Sequence, residues 1–193
     1  MHVVLRIVQS LAISALACSL SLTAHAQVGS GWSSTSYSFN IQTSSGCSVS
    51  GNTFKVGSSS SGRAERRYAN ISSAQAQMQG TVTVNSLGGD RVSLAQIHEL
   101  GSATSLVAIK KPGTLYEVEG GATVGSMTIG SPARINMTLV DSSGKCQTYL
   151  NGSLKTTVSG GSGTYYFKVG AYVTASGTGP ATVTWSGVQF WKK

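Results

Sequence analysis

Three short segments hold most of the side chains that could do chemistry: Arg63-Ala64-Glu65-Arg66-Arg67, Gln96-Ile97-His98, and Tyr166-Phe167-Lys168-Val169-Gly170-Ala171-Tyr172. Read with the period of two that a β-strand imposes, each presents its polar groups on one face. Arg63, Glu65 and Arg67 point one way. So do Gln96 and His98, and so do Tyr166, Lys168, Gly170 and Tyr172. Only 10% of the chain is charged, so gathering these groups on three strands suggests a polar, cationic cleft on one face of a sheet. An acidic ligand is the natural partner of such a cleft.

The N-terminus narrows the chemistry further. Arg6 precedes a mostly apolar run from Ile7 to Leu22, and Ala24-His25-Ala26 forms a small-x-small cleavage site. Residues 1–26 therefore read as a secretory signal peptide, and 27–193 as one mature domain, secreted or periplasmic. The rival reading, lipidation at Cys18 after Ala15-Leu16-Ala17, lacks the leucine expected three positions before the cysteine. Of the 14 Lys and Arg and 6 Asp and Glu, only Arg6 leaves with the leader, so the mature chain stays strongly basic. Its size suits a single domain with a sizeable core, and no transmembrane span is evident. Two cysteines remain, Cys47 and Cys146, and an even pair in an oxidising compartment predicts a disulfide. His2 and His25 leave too, which makes His98 the sole imidazole of the mature chain.

One imidazole excludes several chemistries. Zinc sites built on two or three histidines cannot form, and no closely spaced cysteine pair replaces them. A serine triad would have to use His98, yet no Gly-x-Ser-x-Gly elbow accompanies it. No glycine-rich loop ending in Lys-Ser/Thr is present to cradle a phosphate. Nucleic-acid binding would rest on charge alone.

The remaining sequence supplies the scaffold. Strands are predicted at 37–43, 53–56, 64–71, 77–84, 92–99, 105–110, 114–118, 126–129, 134–140, 145–150, 153–158, 165–174 and 181–190. Val82 and Val84 alternate with Thr81 and Thr83, and Val183 and Trp185 with Thr182 and Thr184. Asn151-Gly152 between two such runs signals a two-residue hairpin. Only Ser72–Gln79 reads as a helical turn. Many short strands with regular turns predict an all-β sandwich of antiparallel sheets, or jelly roll.

In this order, Arg-x-Glu-x-Arg, Gln-Ile-His and Tyr-Phe-Lys-x-Gly-x-Tyr resemble the alginate lyases of polysaccharide lyase family 7. Only the third motif is specific by itself. The resemblance runs from about Thr53 to the aromatic final strand, Thr182–Trp191, and implies a concanavalin-like β-jelly roll. It also implies cleavage of a uronic-acid polymer, most naturally alginate, by β-elimination, without metal or organic cofactor, in a monomer acting off the membrane on an acidic polysaccharide. By this resemblance Arg63 or Arg67, with Gln96, neutralises the uronate carboxylate, and Tyr172 is the acid. His98 is the base, or Tyr172 takes both roles when proton and leaving group lie on the same side of the ring. Arg67, Glu65, Lys168 and Tyr166 make up the substrate-binding set, with Lys168 binding substrate or helping to hold Tyr172 ionisable and Glu65 orienting its flanking arginines.

Each of these residues also has a structural reading. Arg63, Glu65 and Arg67 could form an exposed salt-bridged face, His98 could be a satisfied strand histidine, and both tyrosines suit any strand. The sequence also departs from the family. Arg66 stands where the family has an aliphatic core residue, Val173-Thr174 follows Tyr172 where Asn-Gln is usual, and the loops are short. Glucuronan would satisfy the same constellation as alginate. A carbohydrate-binding module would share the cleft without needing His98 and Tyr172 to converge. A glycoside hydrolase would need two facing carboxylates; Glu117 and Glu119 share a face but lack the closely spaced three-carboxylate strand pattern of such hydrolases, and the arginines flanking Glu65 would hold it ionised.

Overall fold

A computed structural model describes residues 29–174 and 177–193. The leader assigned from sequence, with Cys18, lies outside the described residues. Fifteen strands account for the regular structure, and no helix occurs among the described residues. They are β1 (Ser33–Thr35), β2 (Phe39–Thr43), β3 (Ser48–Ser50), β4 (Thr53–Val56) and β5 (Arg63–Tyr68). Next come β6 (Ala76–Leu87), β7 (Arg91–Glu99), β8 (Ser102–Lys110), β9 (Thr114–Glu117) and β10 (Thr123–Ser126). The last five are β11 (Pro132–Leu139), β12 (Cys146–Leu150), β13 (Ser153–Val158), β14 (Tyr165–Tyr172) and β15 (Ala181–Lys192).

The strands form two antiparallel sheets. One runs β13-β12-β11-β6-β15-β4-β3, with β1 added on β15; the other runs β10-β9-β8-β7-β14-β5-β2. Between them lie Phe54, Met78, Ile135, Met137 and Trp185 from the first sheet. Leu94, Ile97, Ile109, Leu115 and Phe167 face them from the second, all fully buried. Each such side chain is worth about 1.5–3 kcal/mol in burial, which is what pins the period-two pattern to one register. Asn151 and Gly152 both take positive φ, at 51° and 88°, and join β12 to β13 as the hairpin signal predicts.

Two expectations fail. Ser72–Gln79 makes no helical turn; a bend leads into β6 at Ala76, whose residues pair with both β11 and β15. The disulfide is also absent: Cys47 and Cys146 are both free thiols. Cys146 opens β12 while Cys47 precedes β3, near opposite ends of the same sheet, five strand spacings apart. At about 4.8 Å per spacing the gap is far beyond the roughly 7 Å between Cα atoms that a disulfide spans. Cys146 is fully buried, and burial, with Glu117 and Asp141 nearby, pushes its thiol up to about 12. Such a thiol is inert.

Candidate active site

Three neighbouring strands, β5, β14 and β7, carry all eight residues singled out from sequence. Regular pairing of β14 with β5 sets Lys168 opposite Arg67, Gly170 opposite Glu65 and Tyr172 opposite Arg63. On its other edge β14 sets Tyr166 opposite His98 and Lys168 opposite Gln96. Directly opposed residues share a face, so the parity argument holds across the three strands. The face is the one turned away from the core, since Phe167, Val169 and Ala171 alternate inward.

Irregularities gather around this patch. The pairing of β14 with β7 shifts between Val169 and Tyr172, and that of β7 with β8 shifts twice, before Ala95 and before His98. Bulges of this kind bend a strand and re-aim its side chains. Gly170 has φ 150°, and a Cβ there would lie 2.7 Å from the Cα of Glu65 and closer still to the carbonyl oxygen of Ala64. Only glycine fits this close approach. The missing side chain also leaves Glu65, opposite it, free to lean across β14.

Glu65 is the hub of the cluster. It is 2% exposed, and its Oε1 accepts from Gln96 Nε2 at 2.5 Å. Its Oε2 lies 3.2 Å from Arg63 Nε and 3.5 Å from Lys168 Nζ, ion-pair contacts outside ideal hydrogen-bond geometry. Burial pushes the Glu65 carboxyl up, and Lys168 and Arg63 offset part of that push. Burial likewise holds the Lys168 ammonium down, with Glu65 opposing and Arg63 and Arg67 assisting. The result is a desolvated carboxylate under two cations and an amide.

A cleft of about 530 Å³ opens beside this hub. Arg63, Gln96, His98, Lys168 and Tyr172 all line it. The guanidinium of Arg63 sits over the Tyr172 ring at 4.9 Å. His98 places Nδ1 against the carbonyl oxygen of Glu99 and 3.0 Å from the Tyr166 hydroxyl. A carbonyl only accepts, so Nδ1 carries the proton and Nε2 keeps its lone pair. Burial, the largest influence, holds the imidazole below its ordinary pKa; the Glu99 carbonyl, next in size, opposes it, and Lys168, Arg63 and Arg67 add to the lowering. These surroundings favour the neutral imidazole.

The structure separates the remaining three from the cleft wall. Glu65 lies behind it. Tyr166 and Arg67 form a stack at its edge, with Arg67 Cζ 4.0 Å from the Tyr166 ring centre and Arg67 Nη2 donating to Asn70 Oδ1 at 3.1 Å. The cleft is also lined by Arg91, Leu106 and Thr174, which sequence reasoning did not single out, and by Glu119, weighed there only as a hydrolase carboxylate. Arg91 opens β7 and Glu119 and Thr174 lie outside the strands, where no periodicity marks them, while Leu106 sits midway along β8 and reads as an ordinary apolar strand residue. Among the described residues no three His, Cys, Asp or Glu side chains gather as a metal-ligand set.

Glu117 and Glu119 do not form a facing pair. Glu119 is exposed at the cleft, whereas Glu117 is fully buried and accepts from Ser105 Oγ at 2.8 Å and the Leu106 amide at 2.5 Å. The unexpected Arg66 is also accounted for. It emerges at the sheet edge, donating from Nη2 to the Gly51 carbonyl at 2.7 Å and to Asn52 Oδ1 at 3.0 Å, and its guanidinium lies 4.7 Å from the Phe39 ring. It borders a second cavity of about 470 Å³ where β1, β2 and the β15 bulge meet. That cavity holds no acid–base pair.

No protein-family model and no curated protein matches this chain in sequence. Solved structures do. The alginate lyase from Corynebacterium sp. superposes with a TM-score of 0.63 at 20% identity, over 77% of this chain and 82% of that one. The marine family-7 alginate lyase AlyA1 from Zobellia galactanivorans gives 0.60 at 17% identity, over 82% and 94%. Alginate lyase AlgAT5 from polysaccharide lyase family 7 gives 0.60 at 18%, over 79% and 81%. The chain thus has the β-jelly-roll fold of the family-7 polysaccharide lyases over most of its length.

Proposed function

We propose that this protein is a polysaccharide lyase that cleaves a uronic-acid polymer, alginate foremost, by β-elimination. The observation carrying this reading is that His98 and Tyr172 line one cleft together with Arg63, Gln96 and Lys168. Alginate lyases among the structural neighbours support the same substrate class.

The chemistry follows from what each group can do. A uronate carboxylate beside C5 opposes formation of a second negative charge there, so it must be neutralised. Arg63 engages Glu65 through Nε, which leaves its terminal nitrogens for the substrate carboxylate. Lys168 adds charge from the cleft wall. Gln96 already donates to Glu65, so its share is the second N–H of its amide. His98 Nε2 takes the C5 proton, and the C5–H electron pair becomes the C4=C5 double bond. The C4–O4 bond then breaks, and Tyr172 gives its phenolic proton to the departing O4. On the epimer with proton and leaving group on the same side, Tyr172 performs both transfers and His98 contributes charge and orientation. Residues 1–26, in this reading, export the enzyme to meet an extracellular or periplasmic polymer.

The test is incubation with polymannuronate, polyguluronate, glucuronan and a neutral glucan, following unsaturated-uronate absorbance and reducing ends together. Both signals should rise on at least one polyuronate and neither on the glucan. Binding without either signal would make this a carbohydrate-binding module. Reducing ends without absorbance would make it a hydrolase.

A further inference from the structure

Three adjacent strands align three flat groups. Arg67 on β5 lies 4.0 Å from the Tyr166 ring on β14, and that ring stacks on His98 of β7 at 5.0 Å and 15°. The order guanidinium, phenol, imidazole follows from the register: Tyr166 is directly opposite His98, and Arg67 is opposite Lys168, two residues along from Tyr166. Each layer is held separately. Asn70 fixes the guanidinium, Tyr166 is only 6% exposed, and His98 is tied at Nδ1 to the Glu99 carbonyl and the Tyr166 hydroxyl. Arg67 itself stands apart from the cleft lining.

The geometry points to Arg67 as a positioning residue: acting through Tyr166, it clamps the His98 imidazole with Nδ1 on the Glu99 carbonyl and Nε2 directed to the cleft. This rests on His98 being the base of the reaction proposed above. A guanidinium stacks flat on an aromatic face as an ammonium cannot, so the device calls for arginine rather than a generic cation. The tautomer of a histidine is set by what its other nitrogen bonds, and the stack holds that nitrogen against an acceptor. The charged and titratable groups around His98 are Tyr166 and Lys168 on β14, and Arg63 and Arg67 on β5. Glu119, Arg91 and Tyr172 share the cleft with it. Burial, with the surrounding cations adding to it, favours the neutral ring.

The experiment uses the full chain and reads the imidazole directly. ¹⁵N-detected spectra of His98, assigned by the signal lost in His98→Gln, are followed across pH for wild type, Arg67→Met, Arg67→Lys and Tyr166→Phe. Arg67→Met should raise the His98 midpoint, because a nearby like charge is gone, and should mix the two tautomers. Its kcat should fall about tenfold to a hundredfold with KM within about twofold, since misplacing a base costs turnover rather than affinity. Arg67→Lys should restore the midpoint without restoring the tautomer or kcat. Tyr166→Phe should weaken tautomer selection while keeping the ring stack. A wild-type midpoint and tautomer in Arg67→Met would overturn the clamp, as would a raised KM at unchanged kcat, which marks a substrate contact. If Arg67→Met does not fold, Arg67→Lys with a wild-type tautomer overturns it equally. A wild-type protein inert on every polyuronate ends the lyase reading, and the same spectra still decide the clamp.

Discussion

Two buried carboxylates, Glu65 and Glu117, sit on opposite faces of the same sheet and are solvated in different ways. Glu65 lies on the cleft face under Arg63, Lys168 and Gln96. Glu117 lies in the interior, where its bonded partners are neutral, a serine hydroxyl and a backbone amide. Burial is the largest influence on both and pushes both carboxyls up. The difference is in what surrounds the charge. Cations surround Glu65, whereas a hydroxyl and an amide dipole meet Glu117. Changes on the cleft face should therefore cost turnover, and changes at Glu117 should cost only stability.

The largest expected effect breaks the comparison on the cleft side. Tyr172→Phe keeps the ring, its packing and the Arg63 contact but removes the hydroxyl. Turnover should fall about 10²–10⁴-fold, while the urea midpoint stays within experimental error of wild type. His98→Ala should also reduce turnover, more on the epimer that needs a separate base than on the other. Steady-state rates of both variants on polymers of each epimer decide it. Near wild-type turnover of Tyr172→Phe on every substrate would mean that the proton donor is another group.

Glu65→Ala comes next and affects both properties. Its removal leaves Lys168, whose side chain is 5% exposed, buried without its carboxylate, and frees Gln96 and Arg63 from their common anchor. Breaking a buried pair in this way costs about 3–5 kcal/mol. Denaturant unfolding should show that loss, and kcat should fall with it because the cleft wall is no longer ordered. A variant as stable as wild type would show the hub to be dispensable.

Much of this was legible in the sequence because a strand's side-chain period is strict. Parity alone put Arg63, Gln96, His98, Lys168 and Tyr172 on one face, and the alternation of β6 and β15 announced a sandwich. What escaped has physical reasons. β1 and β3 are three residues long and rich in serine, too short for a period to show. Ala74-Gln75-Ala76-Gln77-Met78 has good helix formers, but pairing with two neighbouring strands overrides local propensity. The cysteine pair looked sound because sequence does not state strand order, and order is what separates the two thiols. Parity placed Arg67 on the same face as the others yet could not show that its guanidinium lies over the Tyr166 ring. Glu117 and Glu119 share parity on paper, but the chain turns after β9 and sends them to different environments.

The smallest effect sharpens the comparison from the interior. Glu117→Gln preserves shape and one acceptor but removes the charge, leaving an amide donor that meets the donors of Ser105 and Leu106. The cost should be about 1–3 kcal/mol, with kcat/KM unchanged for the folded fraction. Its pH dependence is the more telling quantity. The folded carboxyl titrates above the ordinary value of 4.5 because burial disfavours the anion. The stability it contributes is thus fully present below about 4.5 and is lost as pH rises through the folded pKa, where the folded state begins to bear a desolvated charge. Glutamine cannot ionise, so the variant lacks this decline. The stability gap between wild type and Glu117→Gln should therefore be widest near pH 4 and narrow toward neutrality. Other groups, including Asp90 and Asp141 whose carboxyls titrate low, cancel in the difference between the two proteins. Urea midpoints of both proteins from about pH 4 to about pH 8 give the gap directly. A gap that widens with pH would mean that Ser105 and the Leu106 amide outweigh burial and hold Glu117 as a stabilised anion, making it the equal of Glu65 without any cation.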